Sequence, residues 1–233
     1  MNMNKEQAQW PAGYRINARV EGPPTDIIEA FRNMPVAAIG DAMSRHAGSI
    51  GLRQYHQHLD TVLCGTAVTV RVRPGDNLMI HKALMMVKAG DVLVVDGGGD
   101  LTQALVGGLM RTTCAPRGLA GLVIDGAVRD VCEWAEDGMP IFAKGHTSRG
   151  PGKDGPGEIN VPISCAGMAV MPGDLIVGDA DGVIAVPGAE AADILARTRA
   201  HLEKEARIRE SNRTGTADPE RFDAILRAKG LPI

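Results

Sequence analysis

The chain has 233 residues, with 25 basic and 28 acidic side chains and a net charge of −3. This length suits one domain with a sizeable core, and the charge disfavours a nucleic-acid-binding protein that relies on a basic face. The four cysteines are far apart, which excludes a Cys-x-x-Cys zinc ribbon, and no apolar run is long enough to cross a membrane. We therefore expect a soluble, cytoplasmic protein that binds neither nucleic acid nor a membrane.

The N-terminal third of the chain combines a polar arm, two short helices and a strand. Residues 1–22 are polar and lack periodicity, so we expect an arm along the surface. Capping and turn residues precede two predicted helices, at 26–33 and 35–45. The alternation of apolar and polar residues over 61–73 predicts a half-buried strand.

The middle of the chain alternates between helices and strands. Apolar periodicity predicts helices at 76–88, 101–117 and 127–137. Continuous apolar runs predict buried strands at 91–96, 121–126 and 140–145. Because the connections are short, we expect these strands to be parallel and linked by right-handed crossovers.

The last third begins with a stretch rich in Gly and Pro at 147–162, which we interpret as an ordered loop crossing between sheets or subunits. Residues 173–187 predict a hairpin, and residues 188–211 a long charged helix followed by one short helix. The predicted organisation is an arm, one α/β core and a C-terminal helical segment, at 1–22, 23–187 and 188–233.

A glycine cluster follows the first of the buried strands. Residues 97–99 are glycines, and Asp100 is predicted to open a helix after them. A tight turn and a ligand site at the carboxyl end of a strand are both open interpretations. Neither G-x-G-x-x-G nor GK[ST] is present, so the glycines do not indicate a nucleotide-binding loop.

Gly107 and Gly108 interrupt the helix predicted over 101–117. Each glycine costs about 1 kcal/mol in a helix interior, so two in succession favour a break. A helix that restarts after them would present free amides at Leu109 and Met110 to an anion such as a carboxylate. Close packing against another helix is the alternative interpretation.

Arg129 and Asp130 follow the second buried strand. Arginine offers a planar fork to a carboxylate, and a single aspartate can hold Mg²⁺, which keeps several of its waters. A surface ion pair at a helix start is the alternative. His81 is interpreted as a core histidine, and the Asp-rich turn near residue 180 as a hairpin rather than a calcium loop.

The stretches 94–131, 149–163 and 172–187 resemble the RraA-like superfamily. That superfamily includes regulators of ribonuclease activity A and class II aldolases that act on 4-hydroxy-4-methyl-2-oxoglutarate and 4-carboxy-4-hydroxy-2-oxoadipate. The motifs occur in the same order over roughly residues 35–210. The resemblance implies a single-domain α/β sandwich, phosphohistidine-swivelling-domain-like, that assembles as a homotrimer or hexamer with active sites between subunits.

The resemblance also implies roles for individual residues. Arg129 would grip an α-keto acid, and Asp130 would coordinate a divalent cation, Mg²⁺ or Mn²⁺. Glu205 would reach the site from a neighbouring subunit. The backbone at the helix start would contact the pyruvyl carboxylate of the substrate, through Gly107, Gly108, Leu109 and Met110.

The reaction that the resemblance implies is metal-dependent cleavage of a 4-hydroxy-2-keto acid to pyruvate. Oxaloacetate decarboxylation passes through the same enolate. The aldolase pattern has an acid, which holds metal-bound water, then 20 residues, then the Arg-Asp pair, and this chain has Gly108 at the position of the acid. That departure keeps two alternatives open: a non-catalytic protein that binds and inhibits a ribonuclease, and another lyase or hydratase acting on a related acid.

Overall fold

A computed structural model describes residues 10–136 and 138–233. The strands are β1 (Tyr14–Ile16), β2 (Arg53–Gln54), β3 (Leu63–Val72), β4 (Asp91–Asp96), β5 (Ala104–Val106), β6 (Gly121–Val128), β7 (Ile141–His146), β8 (Gly157–Ile159), β9 (Ile163–Cys165), β10 (Met168–Val170), β11 (Leu175–Asp179) and β12 (Gly182–Val186). The helices are α1 (Thr25–Phe31), α2 (Val36–Ala42), α3 (Leu78–Leu84), α4 (Gly108–Cys114), α5 (Val131–Glu136), α6 (Ala191–Arg213) and α7 (Glu220–Ala228).

One mixed sheet organises the part of the chain that the structure describes. Ten of the described strands belong to this sheet, and seven of them follow one another in the hydrogen-bonded order β1-β8-β3-β4-β6-β7-β2. Strands β3, β4, β6 and β7 are parallel, as predicted for the last three, and β5 pairs in parallel with β6. Strand β3 is buried along almost its whole length, so the prediction of a half-buried strand there is wrong. The β11–β12 hairpin joins β3 in antiparallel orientation. Because parallel strands end at the same edge, the loops after β3 to β7 converge there.

Buried apolar side chains cover the sheet on both faces. The largest group joins β3, β4 and β6 to helices α3 and α4 and to Trp134 of α5. A second group lies under β9 and β10, and a third lies between the β11–β12 hairpin and helices α1, α2 and α6. The central strands β4 and β6 are buried along almost their whole length, which their continuous apolar runs predict. The predicted single-domain α/β fold is confirmed.

The helix predicted over 101–117 is wrong in its first half. Residues 104–106 form β5 beside β6, and α4 begins only at Gly108. A short apolar run does not distinguish strand from helix by periodicity alone, so the pairing with β6 decides. The helix predicted over 127–137 also begins later, at Val131, because β6 continues to Val128. Residue 137 lies outside the described residues.

The glycine cluster after β4 forms a tight turn. Gly98 and Gly99 have φ angles of 66° and 69°, a left-handed conformation that glycine adopts at no steric cost. The prediction that Asp100 opens a helix is wrong, because its carboxylate accepts a hydrogen bond from the Thr102 hydroxyl at 2.8 Å within an irregular loop. This short side-chain turn competes with helical backbone pairing.

Segments that the sequence leaves without regular structure add to the sheet edge. Strand β1, from the predicted arm, pairs in parallel with β8, which lies within the predicted loop 147–162. Arg19 also anchors the arm, because its Nε and Nη2 donate to the buried carboxylate of Asp91 at 2.8 and 2.6 Å. The first nine residues of the predicted arm lie outside the described residues. Among the helices described, none is long and apolar enough to cross a membrane.

Candidate active site

Arg129 and Asp130 lie directly after β6, at the edge where the parallel strands end. The Arg129 N–H donates to the carbonyl of Val106 at 3.0 Å, which places the pair beside the end of β5. Asp130 has a φ of 58°, so the chain turns sharply from β6 into α5. The fully buried Trp134 donates from Nε1 to the Arg129 carbonyl at 2.9 Å. These bonds hold both side chains at the sheet edge.

The two glycines before and within α4 allow backbone to approach this pair closely. A Cβ on Gly107 would lie 2.6 Å from Oδ2 of Asp130 and 2.9 Å from Cγ of Arg129. The N–H of Gly108 donates to Oδ2 of Asp130 at 2.8 Å. A side chain at residue 107 would displace the Arg-Asp pair, which explains the glycine there. The predicted break does fall at these glycines, but α4 begins at Gly108 rather than after it, and a strand rather than a helix precedes them.

The amides at the start of α4 are not equally available to a ligand. The N–H of Met110 donates to the Gly107 carbonyl at 2.9 Å. The prediction that this amide is free is therefore wrong. Within the described chain, the N–H of Leu109 has no hydrogen-bond acceptor, and the Leu109 residue is 81% exposed. Of the two amides predicted to be free, at Leu109 and Met110, the one at Leu109 is open to a carboxylate.

Arg129 borders a small cavity of about 100 Å³. Its Nε lies 3.6 Å from Oδ2 of Asp130, and its side chain is 38% exposed. On its other side, Nη1 would lie 2.9 Å from a Cβ on Gly150, so glycine backbone flanks the guanidinium. The cavity lining includes Asn77, His81, Leu109, Pro151 and Lys153.

Two basic side chains in this lining were missed as site residues. His81 lies in the cavity wall on α3 rather than in the core, and desolvation together with the charge of Lys153 lowers its pKa. Lys153 belongs to the loop before β8, which Asp76 anchors by accepting the Asp154 N–H at 2.7 Å. Both residues follow carboxyl ends of parallel strands, and that position was the available signal.

A second carboxylate reaches the same turn as Asp130. A Cβ on Gly108 would overlap Oε2 of Glu133 and would lie 2.5 Å from its Cδ. Sequence reasoning missed Glu133, although it stands three residues after Asp130, in the first turn of α5. Carboxylate oxygens are the ligands that Mg²⁺ and Mn²⁺ prefer. The donor set at this turn therefore fits a divalent cation.

A separate group of potential metal ligands lies on α2 and α6. Nε2 of His201 is 3.1 Å from Oδ2 of Asp41 and 3.5 Å from Oε1 of Glu205. Each carboxylate also pairs with an arginine four residues further along the chain, at 3.1 and 3.4 Å. Among the described residues, Glu205 forms no ion pair with the Arg129–Asp130 pair. Its predicted role therefore requires a second subunit.

Known proteins similar to this chain include named aldolases. A family model described as RraA-like, Aldolase/RraA, matches residues 36–185. A protein of Halalkalibacterium halodurans, provisionally named a 4-hydroxy-4-methyl-2-oxoglutarate aldolase, is 40% identical over 174 residues, which cover 75% of this chain and 82% of that protein. The 4-hydroxy-4-methyl-2-oxoglutarate aldolase of Thermus thermophilus is 40% identical over 123 residues, 53% of this chain and 74% of that protein.

Solved structures with the same fold include RraA proteins. The RNA-processing inhibitor RraA of Thermus has a TM-score of 0.60 at 32% identity, covering 66% of this chain and 92% of its own. RraAS2 of Streptomyces coelicolor, described as an unusual RNase ES inhibitor family member, has a TM-score of 0.74 at 26% identity, covering 82% and 98%. The family match includes the Arg129–Asp130 pair. The chain therefore belongs to the RraA-like family, and the sequence resemblance to its aldolase branch is confirmed.

Proposed function

We propose that this protein is a divalent-cation-dependent lyase that cleaves a C–C bond of a 4-hydroxy-2-keto acid and releases pyruvate. The observation that carries the proposal is that Arg129 and Gly107 line one cavity, while Asp130 lies beside them, 3.6 Å from the Arg129 Nε and hydrogen-bonded to the Gly108 N–H. The relatives named as 4-hydroxy-4-methyl-2-oxoglutarate aldolases support the same reaction class.

The chain's own residues would bind and orient an acidic substrate. Arg129 offers its guanidinium to the keto-acid carboxylate, in a geometry that suits bidentate pairing. The free N–H of Leu109 is a second donor for the same group. Lys153 lines the same cavity as Arg129, so a second, distal carboxylate of the substrate would find the positive charge of the lysine there. His81, in the same lining, would offer a ring nitrogen for a hydrogen bond.

Asp130 would hold the divalent cation, Mg²⁺ or Mn²⁺. When bound, the cation supplies Lewis acidity that stabilises the enolate of pyruvate. In the proposed reaction the 4-hydroxyl gives its proton to solvent water and its oxygen forms a C=O bond to C4. The C3–C4 bond breaks, and the electron pair of that bond forms the pyruvate enolate. A proton from water then adds to C3 and gives pyruvate. Loss of CO₂ from oxaloacetate gives the same enolate, so decarboxylation is part of the proposal. A lysine Schiff base is not needed, and Lys153 would contribute only its charge.

The proposal extends to assembly and location. A homotrimer, or a hexamer of two trimers, would bring Glu205 of one subunit to the Arg129–Asp130 pair of the next. The substrate would be a small cytoplasmic keto acid. Sedimentation equilibrium gives the subunit number directly, and a monomer at micromolar concentration would contradict the role of Glu205.

The reaction is tested by a coupled lactate dehydrogenase assay for pyruvate. The substrates are 4-hydroxy-4-methyl-2-oxoglutarate, 4-carboxy-4-hydroxy-2-oxoadipate and oxaloacetate, each with Mg²⁺, with Mn²⁺ and with EDTA. We expect pyruvate release that requires a cation. Folded protein that releases no pyruvate from any of the three substrates would refute the proposal.

A non-catalytic role is the second candidate, favoured by the solved RraA neighbours and by the glycine at residue 108. Such a protein would bind and inhibit a ribonuclease. Co-purification with a ribonuclease E-type enzyme, inhibition of its RNA cleavage and no cation-dependent pyruvate release would together support this candidate. Cation-dependent pyruvate release without ribonuclease binding would exclude it.

A further inference from the structure

The turn at Gly107 and Gly108 faces two carboxylates, and each glycine makes room for one of them. The ideal Cβ position of Gly107 lies against Oδ2 of Asp130, and that of Gly108 lies against both carboxylate oxygens of Glu133. A side chain at residue 108 would therefore begin where the Glu133 side chain ends. The volume that an acid at residue 108 would enter already holds a carboxylate, delivered from α5 instead of α4.

The local structure keeps Glu133 in this position. Its N–H donates to the Asp130 carbonyl at 3.0 Å, which fixes the first turn of α5. The next residue, Trp134, is fully buried and bonded to the Arg129 carbonyl, so α5 is anchored on the opposite side of the turn. Within the described chain, the Glu133 carboxylate has no hydrogen bond or ion pair that would hold it elsewhere.

Two carboxylates at one turn suit a hydrated divalent cation better than one. Mg²⁺ and Mn²⁺ retain several waters and bind through one or two carboxylates. Groups that orient the ligands or waters of a metal typically change its affinity by 10–100-fold when they are removed. Asp100, another acid near this sheet edge, accepts a hydrogen bond from Thr102 within its own loop.

We propose that Glu133 supplies the second acidic group of the cation site, in place of an acid at residue 108. The inference rests on the proposed function, because it concerns the same cation. Asp130 and Glu133 would together hold the cation, and Gly108 is the residue that lets Glu133 reach it. The site would then keep its second acidic group, which comes from residue 133 instead of residue 108.

Titration with Mn²⁺, followed by the electron paramagnetic resonance signal of free Mn²⁺, tests the inference without substrate. We expect Glu133→Gln to weaken Mn²⁺ binding by about tenfold or more. Glu136→Gln, at an exposed position of the same helix, is the matched control and should bind Mn²⁺ as the wild type does. Wild-type affinity in Glu133→Gln, or no Mn²⁺ binding by the wild type, would overturn the inference.

A swap of the two positions gives a stricter test. In Gly108→Asp/Glu133→Ala the acid returns to α4 and the space for it is free, so we expect Mn²⁺ affinity to recover. Gly108→Ala/Glu133→Ala adds the same Cβ without a carboxylate and should stay weak. Equal affinity in the two double variants would contradict the exchange. Wild-type protein that binds Mn²⁺ through Glu133 but releases no pyruvate would refute the reaction and leave this inference supported.

Discussion

The backbone N–H of Gly108 donates to Oδ2 of Asp130 at 2.8 Å, although the two residues are 22 positions apart in the chain. The start of α4 and the end of β6 are thereby joined through the side chain that is proposed to hold the cation. An informative substitution at residue 130 therefore removes the negative charge of the carboxylate but keeps an acceptor for the Gly108 N–H.

Asp130→Asn makes that separation, because asparagine keeps an oxygen that can accept the Gly108 N–H and tolerates a left-handed backbone. We expect cation-dependent pyruvate release to fall by about 100-fold or more, since the anionic ligand is lost. The midpoint of chemical unfolding should change little. Pyruvate release at the wild-type rate would remove Asp130 from the mechanism.

Gly107→Ala tests the close approach at the turn. The added Cβ would lie 2.6 Å from Oδ2 of Asp130, so either the carboxylate or α4 must shift. We expect the free energy of unfolding to fall by about 1–3 kcal/mol, which is typical of overpacking. We also expect the folded variant to release pyruvate more slowly than the wild type. Gly40→Ala is the control: it lies within α2, its Cβ would have 3.9 Å to the nearest atom, and it should gain about 0.5–1 kcal/mol. An active Gly107→Ala protein would show that the turn tolerates displacement.

Lys153→Met should affect substrate binding rather than the chemical step. The lysine lines the cavity beyond Arg129, where a distal carboxylate would lie. We expect KM for a dicarboxylate substrate to rise about tenfold, equivalent to about 1.4 kcal/mol, with kcat changed far less. Lys82→Met, on the same helix as His81, should leave KM unchanged. If kcat falls and KM does not, Lys153 acts in the chemical step instead.

Acid should destabilise the protein through His56. This histidine is buried, and desolvation lowers its pKa below the ordinary value near 6.5. As the pH falls below about 6.5, the unfolded chain binds a proton that folded His56 resists, so the stability it contributes at neutral pH is lost. Urea unfolding at pH 7 and pH 5 measures how much the free energy of unfolding falls with acid. This fall should be smaller for His56→Gln than for the wild type. The exposed His46→Gln should behave as the wild type, and equal losses of unfolding free energy in all three proteins would contradict this role.

The sequence predicts the strands of the central sheet better than the details of the site. Strands β4, β6 and β7 were predicted because buried parallel strands read as continuous apolar runs. Strand β5 was not, because three apolar residues fit a helix equally well and only the pairing with β6 decides. Strands β1 and β8, each three residues long, lie in segments predicted as an arm and a loop, and only their pairing in the fold identifies them as strands.

The candidate site shows a similar division. Arg129 and Asp130 could be proposed from the sequence because an arginine and an aspartate directly follow a predicted strand. Glu133, His81 and Lys153 come together with them only through the turn at Asp130 and the loop before β8. Exposed helix and loop positions of this kind carry no periodic signal, so tertiary contacts are needed to find them.

The left-handed backbone of Asp130 limits what evolution or mutagenesis can place there. A φ of 58° favours Gly, Asn and Asp and penalises β-branched residues. In a saturation library at this codon, active variants would therefore have to meet two requirements, folding and cation binding. Folding would retain a small polar set and glycine, and within that set only a carboxylate would keep the cation.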